Sequence, residues 1–327
     1  MNTIENQVKI INLKEGDTFE GKLLVTKIEE LLTKGGKPYV SIDFSDDTGS
    51  INAKIWDISK DEFGYKKDEV VFLKAVVEMF RDLKQLKVLD ISHLSSDDPD
   101  NNPNVFLKRA PLTESEIKTE LNKYINIISA ENKKYGDIVK YILGKYKEAF
   151  LEHPAAKNVH HNYIGGLSYH VIRMLKHGEA ITDVYKTLNK PLLLSGILIH
   201  DAGKMEELKG IGDINYTIKG RLLGHIVIGD TLICEAAKKL NLDYENDEEV
   251  LLLRHLVLAH HGKLEWGSPV MPIIPEATAL HSIDKLDADM EQYEAAYLEI
   301  EKGEMSPRVF GLNVEVYKAK NDGNNVE

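Results

Sequence analysis

Two kinds of hydrophobic periodicity divide the chain. Up to about residue 94, apolar and polar residues alternate in short runs, which is the period of half-buried strands. Residues 39–44 and 51–56 are two such runs, and the segment SDDTGS between them is rich in turn-forming residues. We therefore predict a hairpin here. It belongs to a set of about five strands that close into a small barrel, because closure removes exposed sheet edges.

Beyond residue 112 the period becomes helical. Residues 95–112 are polar at first and contain prolines, which is typical of a linker. Thr113 is followed three residues later by Glu116, a pairing that favours a helix start. We predict a barrel domain over residues 1–94, a linker over 95–112, an all-α domain over 113–317 and a disordered tail over 318–327. The fold class is thus multidomain α and β.

Composition excludes some classes of protein. The chain is 43% hydrophobic and 29% charged, has no apolar run long enough for a bilayer and lacks a signal-peptide layout at its start. We expect a cytoplasmic protein with no membrane partner. The net charge of -12 argues against a general nucleic-acid coat protein, whose affinity comes from Lys and Arg. A site that meets phosphate charge with divalent cations remains compatible with that charge.

Histidines concentrate in the helical half, where eleven of the twelve follow residue 150. Imidazole and carboxylate groups suit Zn, Mn, Fe or Co. Any one histidine is better explained as a hydrogen-bonded core residue. Burying the whole set without a shared partner would cost on the order of several kcal/mol for each group, so the set favours a cation. Its members are His170, His200, Asp201, His225, His260, His261 and Asp284.

The order of these residues carries a resemblance. The spacing H…HD…D, formed by His170, His200-Asp201 and Asp284, resembles the HD phosphohydrolase superfamily, an all-helical, metal-dependent fold. The blocks IGGLSYHV, HDAGK, LLGHI, AHHG and HSIDKLDAD, together with a β-rich N-terminal domain, resemble the YhaM family of bacterial 3′-to-5′ exoribonucleases. The likeness extends over nearly the whole chain, as far as MSPRVFGLN.

The resemblance implies two divalent metal ions. One would be held by His170, His200, Asp201 and Asp284. The second would share Asp201 and add His225 and His260, with His261 as a further candidate ligand. Manganese is the favoured ion by resemblance, and Co²⁺, Fe²⁺ and Zn²⁺ also suit such ligands. Asp287 competes with Asp284 for the ligand role, since it lies three residues later.

Other residues are weaker candidates. Lys204, with Asp201, is a candidate catalytic residue that would contact the scissile phosphate if helix continues through Gly203; a solvated lysine is an equal alternative. His281 and His161 are candidate hydrogen-bond partners of the ligands or substrate contacts. We interpret His93, His153, His177 and His255 as structural.

The predicted barrel offers a second functional surface. Alternation places Tyr39, Lys54 and Trp56 on the polar faces of the hairpin, where an aromatic ring beside a lysine suits base stacking. The pattern resembles the OB-fold that binds single strands. Packing of Trp56 against the helical domain or a second subunit is the alternative. Residues 1–94 hold 14 Lys and Arg against 17 Asp and Glu, so no basic field supports binding.

These observations lead to one expected function and two alternatives. We expect an exonuclease that hydrolyses single-stranded RNA from the 3′ end to nucleoside monophosphates. A broader substrate range would include single-stranded DNA. The polarity comes from the resemblance alone. The alternatives are a phosphohydrolase of nucleotides or cyclic dinucleotides and a non-enzymatic nucleic-acid-binding scaffold. The segment VFGLN and the apolar C-terminal helices suggest a homo-oligomer.

Overall fold

The computed structural model describes residues 7–80, 83–155, 163–210 and 214–321. These residues lie in two compact units. The first comprises residues 7–109, and the second comprises residues 110–210 and 214–321.

The N-terminal unit is a closed five-stranded barrel. Its strands are β1 (Thr18–Leu32), β2 (Pro38–Asp46), β3 (Gly49–Trp56), β4 (Val70–Phe80) and β5 (Leu83–His93), with the short helix α1 (Lys60–Phe63) between β3 and β4. The order around the barrel is β1-β2-β3-β5-β4, and β3 pairs with β5 in parallel while the other neighbours are antiparallel. This is the strand order of the OB-fold, so the predicted barrel is confirmed.

The central hairpin forms as its alternation predicts. Val40, Ile42 and Phe44 of β2 are fully buried in the barrel core. Asp46 closes the turn, because its Oδ1 accepts hydrogen bonds from the backbone N–H groups of Thr48 at 2.8 Å and Gly49 at 3.1 Å. The turn therefore sets the register that places Tyr39 opposite Trp56.

The segment expected to be a solvated linker contacts the barrel. Its short 3-10 helix, Pro103–Phe106, buries Phe106 against Leu24 and Val70. Lys22 Nζ also bonds Asp98 at 2.6 Å and Asp100 at 2.8 Å. The polar sequence of this segment does not reveal that Phe106 anchors it to the barrel. Nor does it reveal that Lys22 of β1 binds two of its carboxylates. The exact domain boundaries stay a prediction.

The second unit is helical. Its helices are α2 (Glu114–Glu131), α3 (Lys133–Tyr146), α4 (Glu148–Glu152), α5 (Gly166–Val184), α6 (Lys190–Ile199), α7 (Lys204–Glu207), α8 (Ile218–Lys239), α9 (Glu248–Ala259) and α10 (Pro275–Glu299). Helix α2 begins at the predicted capping box, in which the Thr113 side chain accepts from the Glu116 N–H. A two-stranded ribbon, β6 (Leu208–Lys209) with β7 (Asn215–Tyr216), adds strand structure that the helical period does not reveal.

Helix α6 lies at the centre of this unit. All residues from Leu192 to Ile199 are buried, and the helix contacts α2, α3, α5, α9 and α10. A helix that is apolar on every side must be surrounded by others, which is why the sequence shows no polar face here. Its C-terminal end therefore opens into the interior of the unit.

Part of the expected disordered tail has contacts. Lys318 Nζ donates to the carbonyls of Tyr297 at 2.7 Å and Ile300 at 2.9 Å. Residues 322–327 lie outside the described residues. Within the described ranges, no helix combines the length and apolarity that crossing a bilayer demands.

Candidate metal centre

Helix ends bring the predicted ligands together. His200 and Asp201 follow directly on α6, and His260 and His261 follow on α9. Helices α5, α8 and α10 contribute His170, His225 and Asp284. Elements that are far apart in sequence thus deliver imidazoles and carboxylates to one buried place.

The first group of ligand atoms belongs to His170, His200 and Asp201. One nitrogen or oxygen from each lies within 4.8 Å of the others, and all three residues are buried. Asp284 joins them, because its Oδ1 is 3.3 Å from His170 Nε2. Three imidazole or carboxylate donors with a fourth beside them make a site of the kind that divalent ions occupy.

The second group consists of His225, His260 and His261, whose ligand atoms also lie within 4.8 Å of one another. Asp201 connects it to the first group. Its Oδ2 is 3.3 Å from His200 Nε2, whereas its Oδ1 is 3.5 Å from His225 Nε2 and 3.8 Å from His260 Nε2. A carboxylate with one oxygen towards each group has the position of a bridging ligand.

Backbone carbonyls fix the direction of three rings. His200 Nδ1 lies 2.9 Å from the Ile197 carbonyl, His260 Nδ1 2.6 Å from that of Val257, and His261 Nδ1 2.8 Å from that of Trp266. Because a carbonyl only accepts, each Nδ1 carries the hydrogen and each Nε2 presents a lone pair. Such outer hydrogen bonds are what orient metal-binding histidines.

Carboxylates fix the other two rings. His170 Nδ1 donates to Asp287 Oδ2 at 2.7 Å, and Asp287 in turn accepts from Arg173 Nε at 2.5 Å. His225 Nδ1 donates to Glu207 Oε1 at 3.2 Å. Asp284, which matches the family position, is at His170 Nε2, whereas Asp287 is engaged at Nδ1 on the opposite side of the ring.

Buried acceptors converge without hydrogen bonds. In the described part of the chain, the Nε2 atoms of His200, His225 and His260 and Asp201 Oδ1 have no hydrogen-bond partner. Each is an acceptor, so these atoms cannot satisfy one another. Leaving such groups unpaired is costly, and a divalent cation suits the set. The residues present therefore fit a metal centre.

The protonation states of Asp201 and His260 agree with that use, whereas His170 holds a proton. Burial raises the pKa of Asp201, but Lys204 and the neighbouring imidazoles outweigh it and hold that pKa well below the usual value. Burial lowers the pKa of His260 far enough to keep its ring neutral. Burial also lowers the pKa of His170, but Asp284 and Asp287 outweigh it and raise that pKa to about 9. A cation at His170 must therefore displace a proton.

Lys204 is an ion-pair partner of Asp201 rather than a solvated side chain. Its Nζ lies 2.7 Å from Asp201 Oδ2, and the side chain is only 13% exposed. Helix α6 does not continue to it: a turn over residues 200–203 precedes α7. The expected proximity arises because the Lys204 N–H bonds the Asp201 carbonyl at 2.9 Å.

Two glycines bring the loop and α8 together. A Cβ on Gly203 would lie 2.0 Å from the carbonyl oxygen of His225, so only glycine allows this approach. Gly224 breaks α8 with φ 73° and ψ 154°, directly before His225. The break frees the His225 N–H to donate to Glu207 at 3.1 Å. Local backbone thus aims one ligand at the centre.

The other histidines have partners of different kinds. His281 Nδ1 donates to the His260 carbonyl at 2.9 Å and so stabilises the backbone of this candidate ligand. His161 lies outside the described residues. His93 pairs with Glu69 at 2.5 Å, and His255 Nε2 accepts from the Ile273 N–H at 3.1 Å.

On the barrel, two residues of the predicted stacking face form an aromatic pair. The rings of Tyr39 and Trp56 lie 4.6 Å apart, and Trp56 is 55% exposed. Lys54 Nζ lies 4.7 Å from the ring of Phe80. Phe80 was not among the sequence candidates; its signal was an exposed aromatic at the end of a strand, which is also typical of ordinary hairpins.

Three residues that contact the candidate ligands or their partners were not predicted in these roles from sequence. Glu207 and Arg173 were not considered, and Asp287 was considered only as a ligand. The signal for Asp287 and Arg173 was their helical spacing from Asp284 and His170, three residues in each case. Glu207 had no spacing signal, because the turn after Asp201 interrupts helical periodicity.

Comparison with known proteins agrees with this geometry. The HD domain family model matches residues 167–289, which contain all seven candidate ligands. A protein of Shouchella clausii named 3′-5′ exoribonuclease YhaM is 40% identical over 91% of this chain and 92% of its own length. The protein of that name from Bacillus subtilis is 38% identical over 93% of this chain and 95% of its own. The chain belongs to the YhaM family.

The similarity to YhaM proteins includes both units of the chain, because the alignment covers 91% of it and extends well beyond the HD domain. The HD domain and the two histidine and aspartate groups indicate divalent-metal binding. Among solved structures, the second OB-fold domain of replication protein A from Methanococcus maripaludis covers 27% of this chain and 94% of its own, at 24% identity and a TM-score of 0.23. That likeness is weak, and the barrel assignment rests on strand order.

Proposed function

We propose that this YhaM-family protein hydrolyses single-stranded RNA from its 3′ end to nucleoside monophosphates at a centre of two divalent ions. Its relatives carry the name 3′-5′ exoribonuclease, and the enzyme class follows from that kinship and the HD domain. The observation that carries the proposal for the site is the convergence of buried, unpaired acceptors on Asp201 and its neighbouring imidazoles.

We assign each group of ligands to one ion. His170, His200, Asp201 and Asp284 would hold the first, and Asp201, His225, His260 and His261 would hold the second. Mixed nitrogen and oxygen donors accept several first-row metals. We propose Mn²⁺ as the working ion, with Co²⁺, Fe²⁺ and Zn²⁺ as substitutes for the same ligands.

The chain's own residues position the reaction. When bound, the two cations would lower the pKa of a water molecule and neutralise the phosphoryl oxygens during in-line attack. Lys204 forms an ion pair with Asp201. Burial lowers the pKa of Lys204, but the Asp201 carboxylate outweighs burial, so the pKa is raised overall. We propose that Lys204 also contacts the scissile phosphate. No serine or cysteine nucleophile is required in this scheme.

The barrel face is the proposed strand-binding surface. Tyr39 and Trp56 offer a stacking platform and Lys54 a cation, which together suit a single strand without reading its sequence. Stacking does not depend on the 2′-hydroxyl, so we propose single-stranded DNA as a second substrate. An enzyme restricted to free nucleotides or cyclic dinucleotides has no use for this face, and a scaffold has no use for a complete ligand set.

Two further features of the protein are proposals of the same kind. Phe310 in VFGLN is 91% exposed, which supports self-association through this C-terminal segment. We propose the cytoplasm as its location, since RNA turnover takes place there.

A time course with 5′-labelled single-stranded RNA tests the proposal. We expect a ladder that shortens from the 3′ end in Mn²⁺ and is absent with EDTA. The variant Asp201→Ala should fall to background, whereas Asp183→Ala, the same change at an exposed carboxylate, should match the wild type. Intact RNA in every lane, from folded and metal-loaded protein, would overturn the proposal and turn attention to nucleotides and cyclic dinucleotides.

A further inference from the structure

An exposed indole lies beside the candidate metal centre. Trp266, one of two tryptophans in the chain, is 45% exposed at the end of the 3-10 helix Leu264–Trp266. It follows His261 by five residues. Exposure of a single aromatic ring is ordinary on a protein surface, so a role for this one must follow from what surrounds it.

The ring is held close to two residues of the centre. The Trp266 carbonyl accepts from His261 Nδ1 at 2.8 Å, so backbone and ligand are directly connected. The Trp266 ring centroid lies 5.8 Å from that of His281, which is three residues before Asp284 on α10. The indole therefore stands at the rim of the centre, beside His281 and one hydrogen bond away from the second group of ligands.

The turn that presents the indole is fixed by its backbone. The Trp266 N–H bonds the Lys263 carbonyl at 3.1 Å, and the Gly267 N–H bonds that of Leu264 at 3.0 Å. Gly267 has φ +94°, which a side chain would resist, and the next residue, Ser268, is buried. A ring on such a turn is presented without the entropy cost of ordering a mobile loop.

A cation accompanies the ring. Lys263 Nζ lies 4.3 Å from the Trp266 ring centroid and is half exposed, with Glu265 at 3.7 Å as a loose ion-pair partner. An aromatic face beside an ammonium group is the pair of features that binds a nucleotide, through its base and its phosphate. Neither feature discriminates between bases.

We propose that Trp266 stacks on the base of the 3′-terminal nucleotide while Lys263 contacts the strand's phosphate, which makes this turn the product-side subsite of the enzyme. The inference rests on the proposed function. Attack from the 3′ end leaves one nucleotide beyond the scissile phosphate, so a stacking ring at the rim of the centre meets the terminal base. Stacking there would position the phosphate for any sequence, which suits an enzyme that degrades step by step.

The test compares kcat/KM on RNA with a normal 3′ end, on RNA with an abasic 3′-terminal residue and on RNA with an abasic penultimate residue. Trp266→Ala should lower kcat/KM roughly tenfold to a hundredfold on the first and third substrates and leave the second nearly unchanged. Trp266→Phe should keep most of the activity. Leu264→Ala, an exposed apolar residue in the same turn, should have no effect on any substrate.

A binding measurement separates stacking from catalysis. In a Trp56→Phe background, Trp266 is the sole tryptophan, and a phosphorothioate RNA that resists hydrolysis should quench its fluorescence. Three results would overturn the inference. Trp266→Ala could lower kcat/KM equally on normal and terminally abasic RNA, or its effect could disappear only with the penultimate abasic residue. The third is an unchanged kcat/KM in the variant together with no quenching of Trp266 fluorescence. If the wild type fails to cut any RNA, the proposed function is what fails.

Discussion

At the scale of single residues, the centre is built by hydrogen bonds that aim imidazole rings. The backbone carbonyls of Ile197, Val257 and Trp266 accept from His200, His260 and His261, and they decide which nitrogen of each ring faces the interior. Asp201 then lies between the two groups of lone pairs. The chemistry attributed to the ligands thus depends on residues that would never contact the metal.

Asp287 offers a direct test of that dependence. Asp287→Asn would turn an amide N–H₂ towards either His170 or Arg173, so the ring would lose its fixed orientation. We expect Mn²⁺ affinity about 10- to 100-fold weaker in isothermal titration calorimetry. The control is Glu294→Gln, which changes the exposed partner on the far side of Arg173 and should leave the affinity as it is. Equal affinity in both variants would contradict the orienting role.

At the scale of secondary structure, a break and a close approach matter more than regular helix. Gly203 touches the backbone of α8, and Gly224 interrupts the same helix one residue before His225. The loop after α6 and the second part of α8 are thereby packed backbone to backbone. A shift in the loop would move His200 and Asp201, and a shift in α8 would move His225.

Gly203→Ala should destabilise the protein by about 1 to 3 kcal/mol or more, since the new Cβ would meet the His225 carbonyl oxygen at 2.0 Å and backbone cannot swing away. Thermal unfolding measures the change. Gly144→Ala in α3 is the matched control, because nothing lies within 4 Å of its Cβ position. That variant should gain about 0.5 to 1 kcal/mol from helix propensity. A Gly203→Ala protein as stable as the wild type would refute this account of the loop.

Sequence patterns predict the secondary-structure elements better than the tertiary contacts between them. Alternation in residues 39–56 gives the hairpin, and Thr113 with Glu116 gives the start of α2, because both signals are local. The order of histidine and aspartate blocks gives the candidate ligands. Which side of the His170 ring Asp287 occupies depends on helix rotation and packing, which no local pattern encodes. The Phe106 anchor was hidden for the same reason.

At the scale of the whole molecule, the acidic balance limits how RNA can be held. With a net charge of -12 the chain cannot rely on a general basic field. The proposed stacking on the barrel and the proposed divalent ions in the HD domain would both attract RNA without such a field. Binding should therefore respond to metal and to aromatic substitutions more than to moderate salt.

The barrel's contribution should depend on substrate length. Trp56→Ala removes the exposed half of the pair with Tyr39, so affinity for a long single-stranded RNA should fall about tenfold in fluorescence anisotropy. Hydrolysis of a dinucleotide, too short to need that surface, should continue at the wild-type rate. Leu89→Ala, another exposed apolar residue of the barrel, is the control and should change neither. An equal loss on both substrates would place Trp56 in a structural role.

The central claim is that one bridging carboxylate and two sets of imidazoles hold two ions. Anomalous scattering from crystals grown with Mn²⁺ tests it most directly. The account predicts two peaks per chain, one contacted by His170, His200 and Asp284 and the other by His225, His260 and His261, with Asp201 touching both. A single peak, or two peaks that do not share Asp201, would contradict it.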